Sequence, residues 1–418
     1  MTSPDAASSP AVRGPGFPEF VCLIASMMAI NALSIDIMLP ALPQIGEALG
    51  VANENSRQWV ITAYLLGFGA LQIVYGPLAD RYGRKPLILA GLGIFVVFSA
   101  IAMLAPSFET LILARVGQGM GTAATRVLAV SIVRDRYSGR PMARVMSLSF
   151  LVFLGVPIIA PTVGQGILAL APWEAIFGLL AVAGAALIVW IFIRLPETLH
   201  PENRQPVEAG RIARAFGEAL TNRLSIGYTL AMTAITGALF AFINSSQQIF
   251  YDVFEAPELF GGVFAVIASG IAVAAITNAR LVERLGSRMI GHTALLGFIG
   301  FAALHAAVAL SGHETIWTFA VLQGLTMFCF GFLVGNFGAM AMEPMGHIAG
   351  TASSAQGFIS TVFGSLTGLF IGQQFDGTVA PMAIGITVCG LIALGFVLLA
   401  ERGRLFVARA SRPATATP

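Results

Sequence analysis

A chain of 418 residues that is 56% hydrophobic, only 11% charged and +2 in formal net charge cannot dress a soluble surface, which takes roughly a quarter charged residues. With a mean hydropathy of +0.83, most of its surface must face lipid, and no dense basic patch exists to displace counterions from a nucleic acid. Cys22, Cys329 and Cys389 lie in apolar runs without ligand spacing, and no metal set, nucleophile–base spacing or phosphate loop points to an embedded enzyme.

Residues 1–16 are a Ser/Pro/Ala/Gly tail. It lacks a basic start placed directly before a short apolar run and a small-residue cleavage site, so the first apolar run is read as a retained span. A spanning helix needs about 20 mostly apolar residues. Twelve such runs follow in order, at 18–42, 57–78, 87–105, 109–133, 142–168, 172–194, 223–250, 259–282, 289–311, 314–340, 351–376 and 379–401. The expected fold is an all-α membrane protein of two pseudo-symmetric six-helix bundles. Its parts are an unstructured tail at 1–16, a first bundle at 17–195, a linker at 196–222, a second bundle at 223–402 and a carboxyl tail at 403–418.

Charge orients the spans. Of 23 Lys and Arg residues, all but Arg57, Arg115 and Arg126 fall in the tails or in connections after even-numbered spans. Positive charge stays cytoplasmic, so both termini and the linker are placed inside. Arg211 to Leu220, within that linker, has the pattern of a short amphipathic surface helix, with a solvated connection as the plain alternative.

The loop after span 2, Asp80-Arg81-Tyr82-Gly83-Arg84-Lys85, recurs 203 positions later as Glu283-Arg284-Leu285-Gly286-Ser287-Arg288. Gln118-Gly119 in span 4 recurs as Gln323-Gly324 in span 10. Matching offsets at equivalent places mark parallel repeats, which in transporters hold substrate between them near mid-membrane.

The sharpest local motif is Gly76-Pro77-Leu78-Ala79-Asp80-Arg81-Tyr82-Gly83-Arg84-Lys85-Pro86. Its glycines permit a tight turn, and Asp80 can accept from arginines or a helix N-terminus. The pattern resembles the signature loop of the major facilitator superfamily, and the resemblance implies a brace between the halves that loosens as the carrier changes face. Asp36-Ile37-Met38-Leu39-Pro40-Ala41-Leu42-Pro43, Arg115-Val116-Gly117-Gln118-Gly119-Met120-Gly121, Arg134-Asp135-Arg136-Tyr137 and Gly346-His347-Ile348-Ala349-Gly350-Thr351-Ala352-Ser353-Ser354 narrow it further. They are similar to the drug/proton antiporters of the bicyclomycin- and chloramphenicol-resistance group. Gly76, Asp80, Arg81, Gly83, Arg84, Arg134 and Asp135 are thereby expected to gate. Span 5 carries Gly155, Pro157, Pro161 and Gly164 in a stretch similar to the motif associated with antiport, departing from it at Ala160 and Gln165. Its small residues suit close packing and its prolines a bend, and a plain kink without bearing on direction is the alternative.

Three charged side chains lie well within spans: Asp36, Arg115 and Arg126. Each costs about 2.5–3.5 kcal/mol to place at a helix centre and usually faces a cavity or a partner. Asp36 and Arg115 sit at similar depth and are expected to pair across spans 1 and 4, either in proton coupling or as a structural ion pair. Arg126 shares a face of span 4 with Arg115, Gly119 and Thr122, or reaches toward the cytoplasmic interface. With Gln118, and with Asn244 and Gln248 of span 7, these residues form the expected coupling and substrate set; amide glue between helices is the alternative for the last two.

The expected function is proton-coupled efflux of small hydrophobic compounds, antibiotics foremost, across a bacterial inner membrane, with lipid, protons and substrate as partners. The proton motive force takes the place of a cofactor. A buried carboxyl beside a cation is pulled both ways between its neutral and charged forms, which would suit Asp36 to proton exchange. The alternative is a proton-coupled importer of a sugar or organic anion of the same superfamily; a membrane sensor that has lost transport fits the intact gating motifs poorly. Nothing demands an oligomer, and a monomer is expected. An impermeant thiol reagent applied to intact cells should label a cysteine placed at Asn53 and spare one placed at Gln205; labelling of Gln205 would overturn the topology.

Overall fold

The computed structural model describes residues 14–204 and 209–407. Gln205, most of both tails and part of the linker lie outside them. Among the described residues, twelve helices reach 20 residues or more. They are α1 (Phe17–Asp36), α2 (Trp59–Tyr82), α3 (Arg84–Met103), α4 (Phe108–Arg136), α5 (Gly139–Leu168), α6 (Glu174–Arg194), α7 (Arg223–Gln248), α8 (Phe260–Leu285), α9 (Ser287–Leu310), α10 (Ile316–Met342), α11 (Ala349–Gly372) and α12 (Ala380–Glu401). Ten stretches are long and apolar enough to cross a membrane, one of which, Ile316–Gly372, runs through both α10 and α11. α4 is not among them, because Arg115, Gln118, Thr122, Thr125 and Arg126 dilute its apolar run.

Local chemistry sets the ends. Ser107 accepts from the Thr110 amide to cap α4, and Asn222 accepts from the Leu224 and Ser225 amides to cap α7. Gly83 and Gly286 take φ of 104° and 77°, conformations that favour glycine, at the equivalent α2–α3 and α8–α9 turns. α1 stops at Asp36, and after a break at 37–38 the chain turns through Leu39–Ala41 into the short helix Leu42–Ala48. Pro40 and Pro43 supply no amide protons to carry α1 onward.

The packing repeats. α1 packs on α5, α2 and α3 on α4, and α3 on α6; α7 packs on α11, α8 and α9 on α10, and α9 on α12 in the same way. Two long contacts join the first six helices to the last six, α2 with α11 and α5 with α8. α3, α6, α9 and α12 pack within their own set and turn Val97, Phe192, Leu304 and Leu399 outward. The surface helix Ala209–Thr221 forms where the amphipathic pattern lay and packs on α7 and α11, burying Ala219 against Met345 and Ala352.

The helix ends define two faces. The basic face holds the α2–α3, α4–α5, α6–α7 and α8–α9 connections; the opposite face holds Arg57 and the ends of α1, α7 and α11.

α2 and α4 cross on bare backbone. A Cβ on Gly67 would overlap the Val116 carbonyl, and one on Gly119 would overlap that of Tyr64. Neither neighbour is a movable side-chain tip. Gly119→Leu should therefore destabilise the protein by about 3 kcal/mol or more, read as a lost thermal transition or lost membrane expression. Gly93→Leu, where nothing lies within 4 Å of an added Cβ, should be tolerated.

Candidate functional site

At the opposite face the two helix sets are joined by side-chain amides. Gln58 donates to Gln248 Oε1 at 2.7 Å and to the Gly372 carbonyl at 3.0 Å. Gln248 donates onward to Asn55 Oδ1 at 2.7 Å. Asn55 donates to the carbonyls of Gln373 and Phe375, while Gln373 returns a bond to the Asn55 carbonyl at 2.6 Å. Beside this, Gln165 of α5 donates to the Pro257 carbonyl at 2.7 Å, just ahead of α8. The contact continues inward along α2 and α11 to Gln72, which donates to Thr361 Oγ1 at 3.2 Å.

Below Gln72 a cavity of about 600 Å³ lies between the sets and reaches the basic face. Its deep wall is Met28 of α1, Gln72 and Ile73 of α2, Arg126, Val127 and Val130 of α4, Met146 and Phe150 of α5, Met232 of α7, Val334 of α10 and Gln356 of α11. The wall mixes these apolar side chains with polar ones, Gln72, Arg126, Ser131, Ser353, Ser354 and Gln356, and the volume suits a drug-sized ligand. Arg126 lies over the Phe153 ring at 5.8 Å.

The mouth carries the charged motifs. Arg84 donates to Asp80 Oδ1 at 2.6 Å and to Asp135 Oδ2 at 3.1 Å, tying α2, α3 and α4 together. Glu197, after α6, accepts from the Arg84 and Lys85 amides at 2.9 and 3.1 Å. An acid over orphan amide groups is favoured by the helix dipole, and Gly83 leaves the room for it, since a Cβ there would meet Glu197 Oε2. The second set has a counterpart: Arg288 bonds Glu343 and Glu401 at 2.8 Å each, and Tyr228 donates to Glu401 at 2.9 Å. Motif reading passed over Glu197, which stands at the start of the linker in Leu195-Pro196-Glu197-Thr198. It passed over the amides Asn55, Gln58 and Gln373 too, whose only signal was their place beside short loops.

The structure divides the expected coupling set. Asp36, 4% exposed, is buried at the end of α1 and has no hydrogen bond or ion pair among the described residues. It lies about 12 Å further along α1 than Met28, at 1.5 Å per residue, and is not on the cavity wall. The expected Asp36–Arg115 pair is not formed. Arg115 instead donates to the carbonyls of Val60 at 2.8 Å and Ser34 at 2.9 Å and to Gln118 Oε1 at 2.8 Å, with its guanidinium 4.5 Å from the Tyr64 ring centre. The Ser34 carbonyl is one of the four left over at the carboxyl end of α1, so Arg115 caps that helix. Gln118 also bonds Ser99, and Thr122 bonds Tyr64. Both are buried inside the first set, away from the cavity.

Other placements differ as well. Gln248 belongs to the opposite-face seal and not to the cavity. Asn244 is buried with both amide atoms unpartnered among the described residues. Gly76, Asp80, Arg84, Arg134 and Asp135 line the cavity; Arg81 is exposed beside Tyr82 and stays out of the ion-pair cluster. α5 remains one helix through Pro157 and Pro161. Gly164 meets the α1 break, where a Cβ would overlap the Ile37 carbonyl, whereas nothing lies within 4 Å of a Cβ on Gly155.

Residues 24–369 match the family described as Major Facilitator Superfamily. The chain belongs to that superfamily. Among its relatives in it, the uncharacterized MFS-type transporter YdgK of Bacillus subtilis is 30% identical over 377 residues, covering 88% of this chain and 92% of that one. A bicyclomycin resistance protein homolog of Haemophilus influenzae is 28% identical, with 92% and 96% covered, and multidrug resistance protein MdtL of Shigella dysenteriae is 28% identical with the same coverage. Two solved structures share the fold. The human organic anion transporter MFSD10 superposes with a TM-score of 0.69 at 18% identity, over 92% of this chain and 100% of that one. A bacterial homolog of the human lysosomal transporter Spinster, in an inward-facing and occupied conformation, superposes with 0.72 at 15% identity, over 92% and 96%. This chain is thus a small-molecule transporter of the major facilitator type and not an enzyme.

Proposed function

We propose that this protein is a proton-coupled exporter of small, largely apolar compounds, antibiotics among them, in a bacterial inner membrane. The observation that carries the reading is the cavity closed at the opposite face by Asn55, Gln58, Gln248 and Gln373 and open at the basic face. The positive-inside rule makes the basic face cytoplasmic. An exporter loads its cargo in this state, as an importer releases it there, and the Met, Phe and Val side chains of the wall offer an apolar body a surface to rest on. The bicyclomycin- and multidrug-resistance names of the 28% identical relatives support the same substrate class.

Asp36 carries the proton. It is an acidic side chain deep in a span, and no hydrogen bond or ion pair holds it among the described residues. Burying an unpaired carboxylate is costly, whereas the protonated acid is a neutral group. A change of face that wets the α1 break therefore exchanges a proton with the medium, and opposed preferences of the two faces for proton and cargo suffice to drive the cycle. Arg115 acts at one remove: by capping the carboxyl end of α1 it offsets the partial charge there and sets the electrostatic surroundings of Asp36. The ion pairs of Arg84 with Asp80 and Asp135 brace the cytoplasmic ends of α2, α3 and α4 as the mouth closes and opens.

Inside-out vesicles from cells stripped of other efflux pumps provide the test. With a proton gradient imposed they should accumulate a hydrophobic antibiotic, and Asp36→Asn should abolish that accumulation while the protein remains inserted. Undiminished accumulation by Asp36→Asn removes the residue from the mechanism. Accumulation only in right-side-out vesicles makes the protein an importer.

A further inference from the structure

Arg126 and Arg134 lie about two turns apart on the cavity side of α4, and neither has a hydrogen bond or ion pair among the described residues. Arg134 is exposed at the mouth. Arg126 stands about 15 Å from the basic end of α4, at 1.5 Å per residue, with its guanidinium over the face of Phe153. The acids on the cavity wall are not free to answer it, since Arg84 holds both Asp80 and Asp135. Arg115, further along the same helix, shows how this protein houses a buried cation: three acceptors and an aromatic face surround it. A cation within the membrane that meets neither an acid nor a carbonyl of its own chain, and that borders a cavity, is matched by the charge of what enters the cavity.

We infer that the substrate is an amphipathic organic anion, an aromatic or aliphatic body bearing one carboxylate or sulfonate that pairs with Arg126. Met28, Met146, Phe150 and Met232 receive the body, and the adaptable thioethers fit bodies of differing shape. Arg134 at the mouth raises the local concentration of anions. Export of an anion is further favoured by a membrane potential that is negative inside. The inference rests on the cavity being the site of apolar cargo, as proposed above, and narrows that cargo to molecules with a negative group.

Two dyes with one skeleton test it: 8-anilino-1-naphthalenesulfonate, and N-phenyl-1-naphthylamine, which lacks the sulfonate. Both brighten in apolar surroundings, and binding to the purified full-length protein in phosphatidylcholine nanodiscs is read against empty nanodiscs. The sulfonate should bind about tenfold or more tightly than the neutral dye, as one charge-assisted pair supplies. Arg126→Gln should bring the ratio of the two affinities to about 1, and Arg126→Lys should restore most of it. A ratio near 1 in the unaltered protein, or a ratio that survives Arg126→Gln, overturns the anion preference and leaves the apolar site standing. Joint loss of both affinities in Arg126→Gln at an unchanged ratio makes Arg126 a packing residue and also overturns it. Failure of both dyes to bind the unaltered protein above the blank sinks the apolar-cargo site and the anion preference together.

Discussion

The state of the whole molecule depends on neutral amides meeting at one face. Gln58, Gln248, Asn55 and Gln373 exchange hydrogen bonds across the two helix sets. Such bonds contribute only about 0.5–1.5 kcal/mol each, because water can take either partner. Charged groups are used differently. The Arg84 cluster and the Arg288 cluster each tie helices within one set, where a broken pair would leave a partly buried charge uncompensated. Bonds that are costly to break hold each set together, and bonds that are cheap to exchange with water hold the sets to one another.

Rigid sets are what make a local change at the seal a change at both faces. Gly67 and Gly119 let α2 and α4 touch backbone to backbone, and Gly164 seats α5 on the α1 break. Arg115 binds α1, α2 and α4 at one point through Ser34, Val60 and Gln118. With little slack inside either set, displacement concentrates at the α2–α11 and α5–α8 contacts, the long ones between them. Close-packed elements slide or tilt as units and do not deform smoothly.

Much of this was legible in the residues, and the gaps have physical causes. Arginine placement and apolar run length located the helices, and the charge on either side located α4 although its polar side chains dilute its apolar run. Depth was legible as well, which is why Asp36 and Arg115 were placed at one level. Rotation about the helix axis was not: the Arg115 guanidinium meets the carbonyl of Ser34, and Asp36 lies beyond it at the helix end. Amides defeat sequence reading in another way, since an Asn or Gln side chain serves a cavity, a seal or helix packing equally well. Gln248 was expected at the cavity for that reason. Glu197 caps α3 from more than a hundred residues away, a relation that exists only once α6 has packed beside α3.

Paired spin-label distances test the central claim, that the amide seal sets which face is open. One pair, at Ala52 and Gln374, spans the opposite face; the other, at Arg140 and Arg284, spans the basic face. In the unaltered protein the first pair should be near and the second far. Replacing Gln58 and Gln248 together by alanine should lengthen the first distance and shorten the second in the same fraction of molecules. Lengthening at the opposite face with no change at the basic face, or no change at either, would contradict the account.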